Sequence, residues 1–268
     1  MEKEAFDIII QGGQSNAVGY GLGPAEYEFM PNDRILYLND TTAQFAWETG
    51  LDESDVQQPF VIMKARERMV NGISYGDFAL SFAESYIQNG LLAPDRKLLI
   101  VKAAVGGTAF ILKQWGLQNP LHLRLLNMVR FALEKNPENR IVGFLWHQGE
   151  TDADRENTFE QYKQQLIDML KDIRKNFGEE IPFIAGDFVN DWRSRNHSKC
   201  EPVVEAIRQV VQESQNAEFV ESTGLLSNAQ KIANGDTIHF CREALYELGK
   251  RYFRAFQIGN ESKSFYGD

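Results

Sequence analysis

Apolar residues follow two rhythms along this chain. In the first they stand side by side in short runs bounded by polar or glycine-rich residues, as in Phe6–Ile10, Lys97–Ala104, Arg140–Trp146 and Ile181–Ala185. Runs of that length, rich in β-branched residues, predict strands buried on both faces. Arg34–Asn39 and Ala217–Glu221 read as two further short strands. In the second rhythm apolar residues recur every three or four positions, which predicts helices with one buried stripe. Phe78, Phe82 and Tyr86 mark a helix over Asp77–Gln88, stopped by Asn89-Gly90. Leu121, Leu125, Val129 and Ala132 mark another, with Pro120 at its first position. Phe159, Tyr162, Leu166, Leu170, Ile173 and Phe177 form the stripe of a third, opened by the capping pair Thr158 and Gln161 and closed by Gly178. Pro202–Glu213 is a fourth. The last carries Leu245, Leu248, Tyr252 and Phe256 and should close at Gly259, leaving a polar tail over 260–268.

Strands and helices alternate at the spacing of right-handed crossovers, which predicts a parallel sheet with helices on both faces. No repeat, low-complexity tract or domain boundary interrupts the 268 residues, so one domain over 1–268 is expected. The exception to the rhythm is Thr41–Ser74. It shows no sustained period and reads as a long irregular excursion anchored by Phe45, Trp47 and Phe60.

Three strands end in polar or glycine-rich clusters: Gly12-Gly13-Gln14-Ser15-Asn16, Gly106-Gly107-Thr108 and His147-Gln148-Gly149-Glu150. A fourth cluster, Asp236-Thr237-Ile238-His239, precedes the last helix. Parallel strands place all their carboxyl ends on one edge, where such sheets bind ligands. Acyl transfer needs a nucleophile, a base, an orienter for the base and donors for the oxyanion. Ser15 offers the hydroxyl, His239 the base, and Asp236, three residues earlier, the orienter. The amides of Ser15 and Gly107 and the carboxamide of Gln148 are candidate oxyanion donors. Each has a bland competitor: Ser15 as a helix cap, Gly106-Gly107-Thr108 as an ordinary turn, Asp236 and His239 as a cap. Glu150 is the rival orienter, or a brace for the Gln148 loop. His147 reads first as a satisfied strand-end histidine. Glu150 and Asp152 could instead cap the next helix or hold a cation, for which the pair alone lacks a third ligand; a divalent-metal hydrolase using them together with His147 is the alternative from another class. His122 and His197 read as incidental, and Trp115 as packing or as a sugar platform.

Charge and composition narrow the class. Lys plus Arg number 28 against 38 Asp plus Glu, a formal net charge of −10 with no dense basic run. Such a chain suits neither nucleic acid nor an anionic membrane, and neutral sugars or esters fit it better. No apolar run is long enough to span a bilayer. Met1–Ala5 carries no signal-peptide pattern, which gives a cytoplasmic expectation; removal of a leader would instead imply secretion or the periplasm. Cys200 and Cys241 fit no zinc pattern and are expected as two buried thiols, with a disulfide as the alternative.

Together, Gly13-Gln14-Ser15-Asn16, Gly106-Gly107-Thr108, Trp146-His147-Gln148-Gly149-Glu150-Thr151-Asp152 and Asp236-Thr237-Ile238-His239-Phe240 resemble the SGNH hydrolase superfamily. The resemblance is to its carbohydrate-esterase branch, with acetylxylan esterases and sialate O-acetylesterases, and runs from Phe6 to Phe256. It implies a three-layer αβα sandwich around a mostly five-stranded, flavodoxin-like parallel sheet. It also implies a triad of Ser15, His239 and Asp236, and an oxyanion hole of Ser15, Gly107 and Gln148, with Gln148 where many relatives carry asparagine. Ala17 stands where relatives often have methionine. His147 adds a titratable group beside Gln148. Gln14, Asn16, Thr108, Trp115, His147 and Glu150 become candidates for support or substrate contact, with Thr41–Ser74 shaping the sugar site. The activity implied is a serine esterase removing O-acetyl groups from carbohydrates, with no metal or cofactor. A non-catalytic glycan-binding protein and an acyltransferase acting on sugars are the alternatives.

Overall fold

The structure, a computed structural model, describes residues 4–40 and 59–264, with side chains through residue 259. Its centre is a seven-stranded sheet in the order β3-β2-β6-β1-β7-β8-β9. The strands are β1 (Ala5–Gly13), β2 (Ile35–Asp40), β3 (Phe60–Lys64), β6 (Arg96–Lys102), β7 (Arg140–His147), β8 (Phe183–Gly186) and β9 (Ala217–Val220). All neighbours pair in parallel except β2 with the edge strand β3. The five strands β6-β1-β7-β8-β9, numbered among themselves, have the 2-1-3-4-5 order of flavodoxin-like sheets. The expectation of about five strands is therefore corrected to seven, because β2 and β3 extend one edge. A separate hairpin joins β4 (Arg68–Val70) to β5 (Ile73–Tyr75).

The continuous apolar run of β1 is explained by its neighbours above and below. Ile8 and Ile10 join one buried cluster with Leu99, Val101, Phe144 and Trp146. That cluster is covered by α3 (Pro120–Glu134), α5 (Phe159–Phe177) and α7 (His197–Glu213). Ile9 joins the opposite cluster with Leu98, Ile100 and Leu145, covered by α2 (Phe78–Gln88) and α9 (Arg242–Ser264). The successive isoleucines point to opposite faces, and each face has its own helical layer. Each fully buried isoleucine stabilises the fold by about 1.5–3 kcal/mol relative to exposure.

Local signals set the helix starts. Asp77 caps α2 by accepting from the Ala79 amide, and Thr158 caps α5 by accepting from the Gln161 amide. Three short helices complete the edge: α1 (Ser15–Val18), α4 (Glu150–Asp154) and α8 (Asn228–Ile232). A fourth, α6 (Asn190–Arg195), precedes α7.

Other expectations change as well. Within Thr41–Ser74, residues 41–58, with Phe45 and Trp47, lie outside the described residues, but the remainder holds β3, β4 and part of β5. An edge strand with one neighbour and a three-residue hairpin arm are too short to show a period. The hairpin had a signal nonetheless. Asn71 and Gly72 both adopt left-handed backbone (φ 51° and 76°), as a two-residue hairpin turn requires. Helix α7 begins at His197, so Pro202 lies inside it. Helix α9 continues past Gly259 to Ser264, so Gly259 is not its stop. Cys200 and Cys241 are both buried and free.

Candidate active site

The carboxyl ends of β6, β1 and β7 meet at the point where the chain leaves β1 toward one side of the sheet and β7 toward the other. That divergence opens the crevice in which such sheets bind ligands. The turn after β1 is tight. The φ of Gly13 is 136°, and a Cβ there would sit 2.0 Å from the carbonyl oxygen of His147. Only glycine fits both the angle and the approach. The Gln14 amide donates to that same carbonyl at 3.0 Å, and the Val105 amide donates to the Gly13 carbonyl at 3.0 Å. Three strand ends are thereby tied together around Ser15.

Ser15 is the first residue of α1, and its side chain does not cap that helix. Its Oγ lies 2.9 Å from His239 Nε2. The other imidazole nitrogen, Nδ1, lies 3.0 and 2.9 Å from the two oxygens of Asp236. A carboxylate on Nδ1 holds the proton there, so Nε2 is left to accept from the serine hydroxyl. Asp236 is itself held. Asn228 Nδ2 donates to its Oδ2 at 2.9 Å, and the His239 amide donates to its Oδ1 at 3.2 Å. Burial raises the Asp236 pKa, but the His239 and Asn228 hydrogen bonds outweigh it and keep the carboxyl below the usual range. Tyr20 stacks on the imidazole with ring centroids 5.1 Å apart and planes at 23°.

The Gly107 loop is anchored by a carboxylate. Asp152 accepts from the amides of Phe110 and Ile111, each at 2.9 Å, and from Gln148 Nε2 and Asn157 Nδ2, each at 2.7 Å. Gly107 itself is exposed. Gln148 is fully buried, and its Nε2 has three acceptors for two hydrogens: Asp152, the Thr108 carbonyl at 3.0 Å and Gln14 Oε1 at 3.3 Å. To donate to an oxyanion, Gln148 must release one of them. Tyr162 holds the other end of this amide by donating to Oε1 at 3.0 Å.

Of the two roles open to the candidates for support or substrate contact, several take support. Trp115 is fully buried against Trp146 and donates to Thr108 Oγ1 at 2.9 Å, so it is core and no sugar platform. Thr108 Oγ1 in turn donates to the Val105 carbonyl at 2.7 Å. Gln14 is buried, and its Oε1 accepts from the Gly149 and Thr151 amides at the start of α4. His147 is fully buried beneath Tyr252, which donates to the Trp146 carbonyl and therefore accepts from His147 Nδ1. Burial depresses the His147 pKa from 6.5 to about 3, so this histidine stays neutral and touches no sugar.

Glu150 is also fully buried; its Oε1 lies 3.8 Å from His147 Nε2, and it makes no hydrogen bond to the His239 imidazole. Its Oε1 accepts from Asn16 Nδ2 at 2.7 Å. Asn16 also donates to the Ile238 carbonyl at 3.0 Å and accepts from the Phe240 amide at 3.1 Å, so it clamps the histidine loop to α1. Burial raises the Glu150 pKa, against the lowering effect of the Asn16 bond. Among the described residues no three His, Cys, Asp or Glu side chains converge on one point, and the oxygens of Asp152 are already spent on N–H donors.

Sequence reasoning missed Tyr20, Asn228 and the anchoring role of Asp152. Tyr20 and Asp152 act across long gaps in the chain, so their own neighbourhoods carried no mark of those partners. Asn228 had one indirect signal, the capping box of Ser227 and Gln230 that starts α8 and presents its first residue to Asp236.

The profile of a family described as "Carbohydrate esterase, sialic acid-specific acetylesterase" matches residues 5–258. A protein named as a probable 9-O-acetyl-N-acetylneuraminic acid deacetylase from Escherichia coli (strain K12) is 27% identical over 126 residues; the match spans 37% of this chain and only 38% of that relative. Among solved structures, NanS superposes with a TM-score of 0.76 at 19% identity, over 97% of this chain and 99% of that one. A protein from Arabidopsis thaliana superposes at 0.71 with 20% identity, over 94% and 98% of the two chains. A carbohydrate acetylesterase from Xanthomonas citri gives 0.66 at 17% identity, over 96% of this chain and 57% of that one. At such identities these likenesses bear on the fold.

Proposed function

The chain belongs to the sialic acid-specific acetylesterase family of carbohydrate esterases, and on that premise we propose that it hydrolyses O-acetyl esters on carbohydrates, with an O-acetylated sialic acid as its sugar. The observation that carries the reading is the unbroken line from Ser15 Oγ to His239 Nε2, and from Nδ1 to Asp236, at the crevice of the sheet.

Ser15 Oγ attacks the acetyl carbonyl carbon as His239 Nε2 takes its proton. Asp236 stabilises the imidazolium that forms. The negative charge moves to the former carbonyl oxygen, and the amides of Ser15 and Gly107 are its donors, joined by Gln148 once it releases the Thr108 carbonyl or Gln14. The tetrahedral intermediate collapses. The bond to the sugar oxygen breaks, and His239 returns its proton to that oxygen. Water, deprotonated by His239, then attacks the acetyl-Ser15 ester and releases acetate.

The test is acetate release from O-acetylated N-acetylneuraminic acid, an acetylated xylo-oligosaccharide and 4-nitrophenyl acetate, with Ser15→Ala as the control. The wild-type protein should act on all three esters and favour the sialic acid. A preference for the xylo-oligosaccharide would replace the sugar in this reading. Glycan binding without acetate release would replace hydrolysis itself.

A further inference from the structure

One cation beside this site has no carboxylate partner among the described residues. Arg68 lies on β4, in register with Tyr75 across the hairpin. Its guanidinium carbon is 4.4 Å from the centroid of the Tyr75 ring and 4.4 Å from that of Tyr20. Tyr20 is the ring that stacks on the His239 imidazole. The guanidinium is thus one aromatic layer from the catalytic base.

Arg68 is only 9% exposed, and its Nε is sealed from solvent with no hydrogen-bond partner. No carboxylate pairs with it among the described residues. The nearest acid in sequence, Glu67, is taken: it accepts from Arg242 at 2.8 and 2.7 Å and from the Tyr246 hydroxyl. Arg242 also reaches Glu28. A buried, unpaired charge is costly, and buried arginines normally have a carboxylate or phosphate in place. Cation–π contact with two rings, whose planes stand at 70° to each other, compensates in part. Its terminal Nη1 and Nη2 donors, unlike Nε, are not sealed and make no hydrogen bond among the described residues, which leaves them for two parallel hydrogen bonds to a carboxylate.

We infer that Arg68 is the specificity-determining residue of the site, receiving the carboxylate of an acidic acetylated sugar. The inference rests on the acetylesterase reading above. It also resolves a tension within the chain. A protein of net charge −10 repels an anionic sugar overall, so recognition of one requires a positive charge built in locally. The Tyr20 and Tyr75 rings, both 4.4 Å from the guanidinium, hold that charge in one place, so little side-chain freedom is lost when the sugar binds.

The test compares wild type, Arg68→Met and Arg68→Lys on three substrates. These are O-acetylated N-acetylneuraminic acid, the methyl ester of its carboxyl group, and 4-nitrophenyl acetate. Hydrogen bonds to charged groups are worth about 1.5–3 kcal/mol, which is about a 10- to 100-fold effect. Arg68→Met should lower kcat/KM on the free acid by about that factor, mostly through KM, and leave 4-nitrophenyl acetate within about threefold. Arg68→Lys should recover only part of the loss, because lysine cannot present the planar pair of donors. With wild type, methylating the sugar carboxyl should cost a similar factor, and Arg68→Met should add little to it. The methyl-ester arm needs no substitution, so it reads the contact even where the variants fold poorly. Equal losses on the acid and on 4-nitrophenyl acetate would assign Arg68 to propping Tyr20 and His239 and overturn the inference. So would an unchanged kcat/KM on the acid while wild type still prefers it, which leaves the acetylesterase reading standing. If wild type spares the acid sugar and releases acetate only from neutral ones, the sialic acid reading and the inference fall together.

Discussion

Ser15, His239 and Asp236 form one chemical unit, and the consequences of changing each differ in kind. Ser15 is small and makes one side-chain hydrogen bond, to the histidine. Ser15→Ala should therefore leave the melting temperature nearly unchanged and lower kcat by about 10⁴ or more, measured by acetate release. The two carboxylates are separated by their partners. Asp236 touches the imidazole, whereas Glu150 touches Asn16. Asp236→Asn should cost about 10³–10⁴ in kcat by disturbing the tautomer of His239. Glu150→Gln should cost less than about tenfold, because glutamine can still accept from Asn16. A larger loss from the glutamate change than from the aspartate change would reverse these roles.

Between elements, one tight constraint is the contact of α9 with α2. A Cβ on Gly249 would lie 2.0 Å from the Phe78 carbonyl oxygen and 2.1 Å from Ser81 Oγ. Ser81 Oγ donates to the Tyr246 carbonyl at 2.8 Å across the same interface. Gly249→Ala should push the two helices apart and cost about 1–3 kcal/mol or more, seen as a drop of several degrees in a thermal melt. The His239 loop leads directly into α9, so kcat should fall as well. A variant that melts like wild type would show that the helices slide apart freely. Behind α1 the support is polar. Gln11 Nε2 donates to the Ala17 carbonyl at 2.6 Å and to Asp77 at 2.7 Å, and Asp77 also pairs with Lys102 at 2.8 Å. These bonds tie the helix that carries Ser15 to two strands and to the cap of α2.

At the scale of the whole molecule, the buried histidine makes stability depend on pH. His147 is neutral in the fold, with its pKa depressed to about 3, while an exposed imidazole in the unfolded chain titrates near 6.5. Between these values the unfolded chain binds the extra proton. The contribution of His147 is thus fully present above about pH 6.5 and is lost as pH falls toward about 3, by at most about 5 kcal/mol. Asp236, with its pKa lowered, acts in the same direction. Glu150, raised by burial, acts in the opposite direction and loses its contribution as pH rises through its folded value. Melting temperatures from pH 7 to 4 should fall more steeply for wild type than for His147→Phe. Parallel curves would remove His147 from the account.

The sequence by itself determined the alternation of strands and helices, the two-sided burial of β1 and the four polar clusters that meet at one edge. These are legible because they depend on local chemistry. A run of β-branched residues makes a buried strand, glycine lets the chain turn, and parallel strands bring their carboxyl ends together wherever they pack. The i, i+3 spacing already favoured Asp236 as the orienter; tertiary structure alone decided that Glu150 meets Asn16, that Trp115 is sealed in the core, and that β3 pairs beyond β2 at the edge of the sheet. It also placed Arg68 against two tyrosines, one of which stacks on His239. Such outcomes depend on which distant segments are packed against a residue. A carboxylate three positions from a histidine looks the same in sequence whether a third segment holds it, as Asn228 holds Asp236, or leaves it to solvent. That Arg68 has no carboxylate among the described residues shows only once its neighbour Glu67 is seen paired with Arg242.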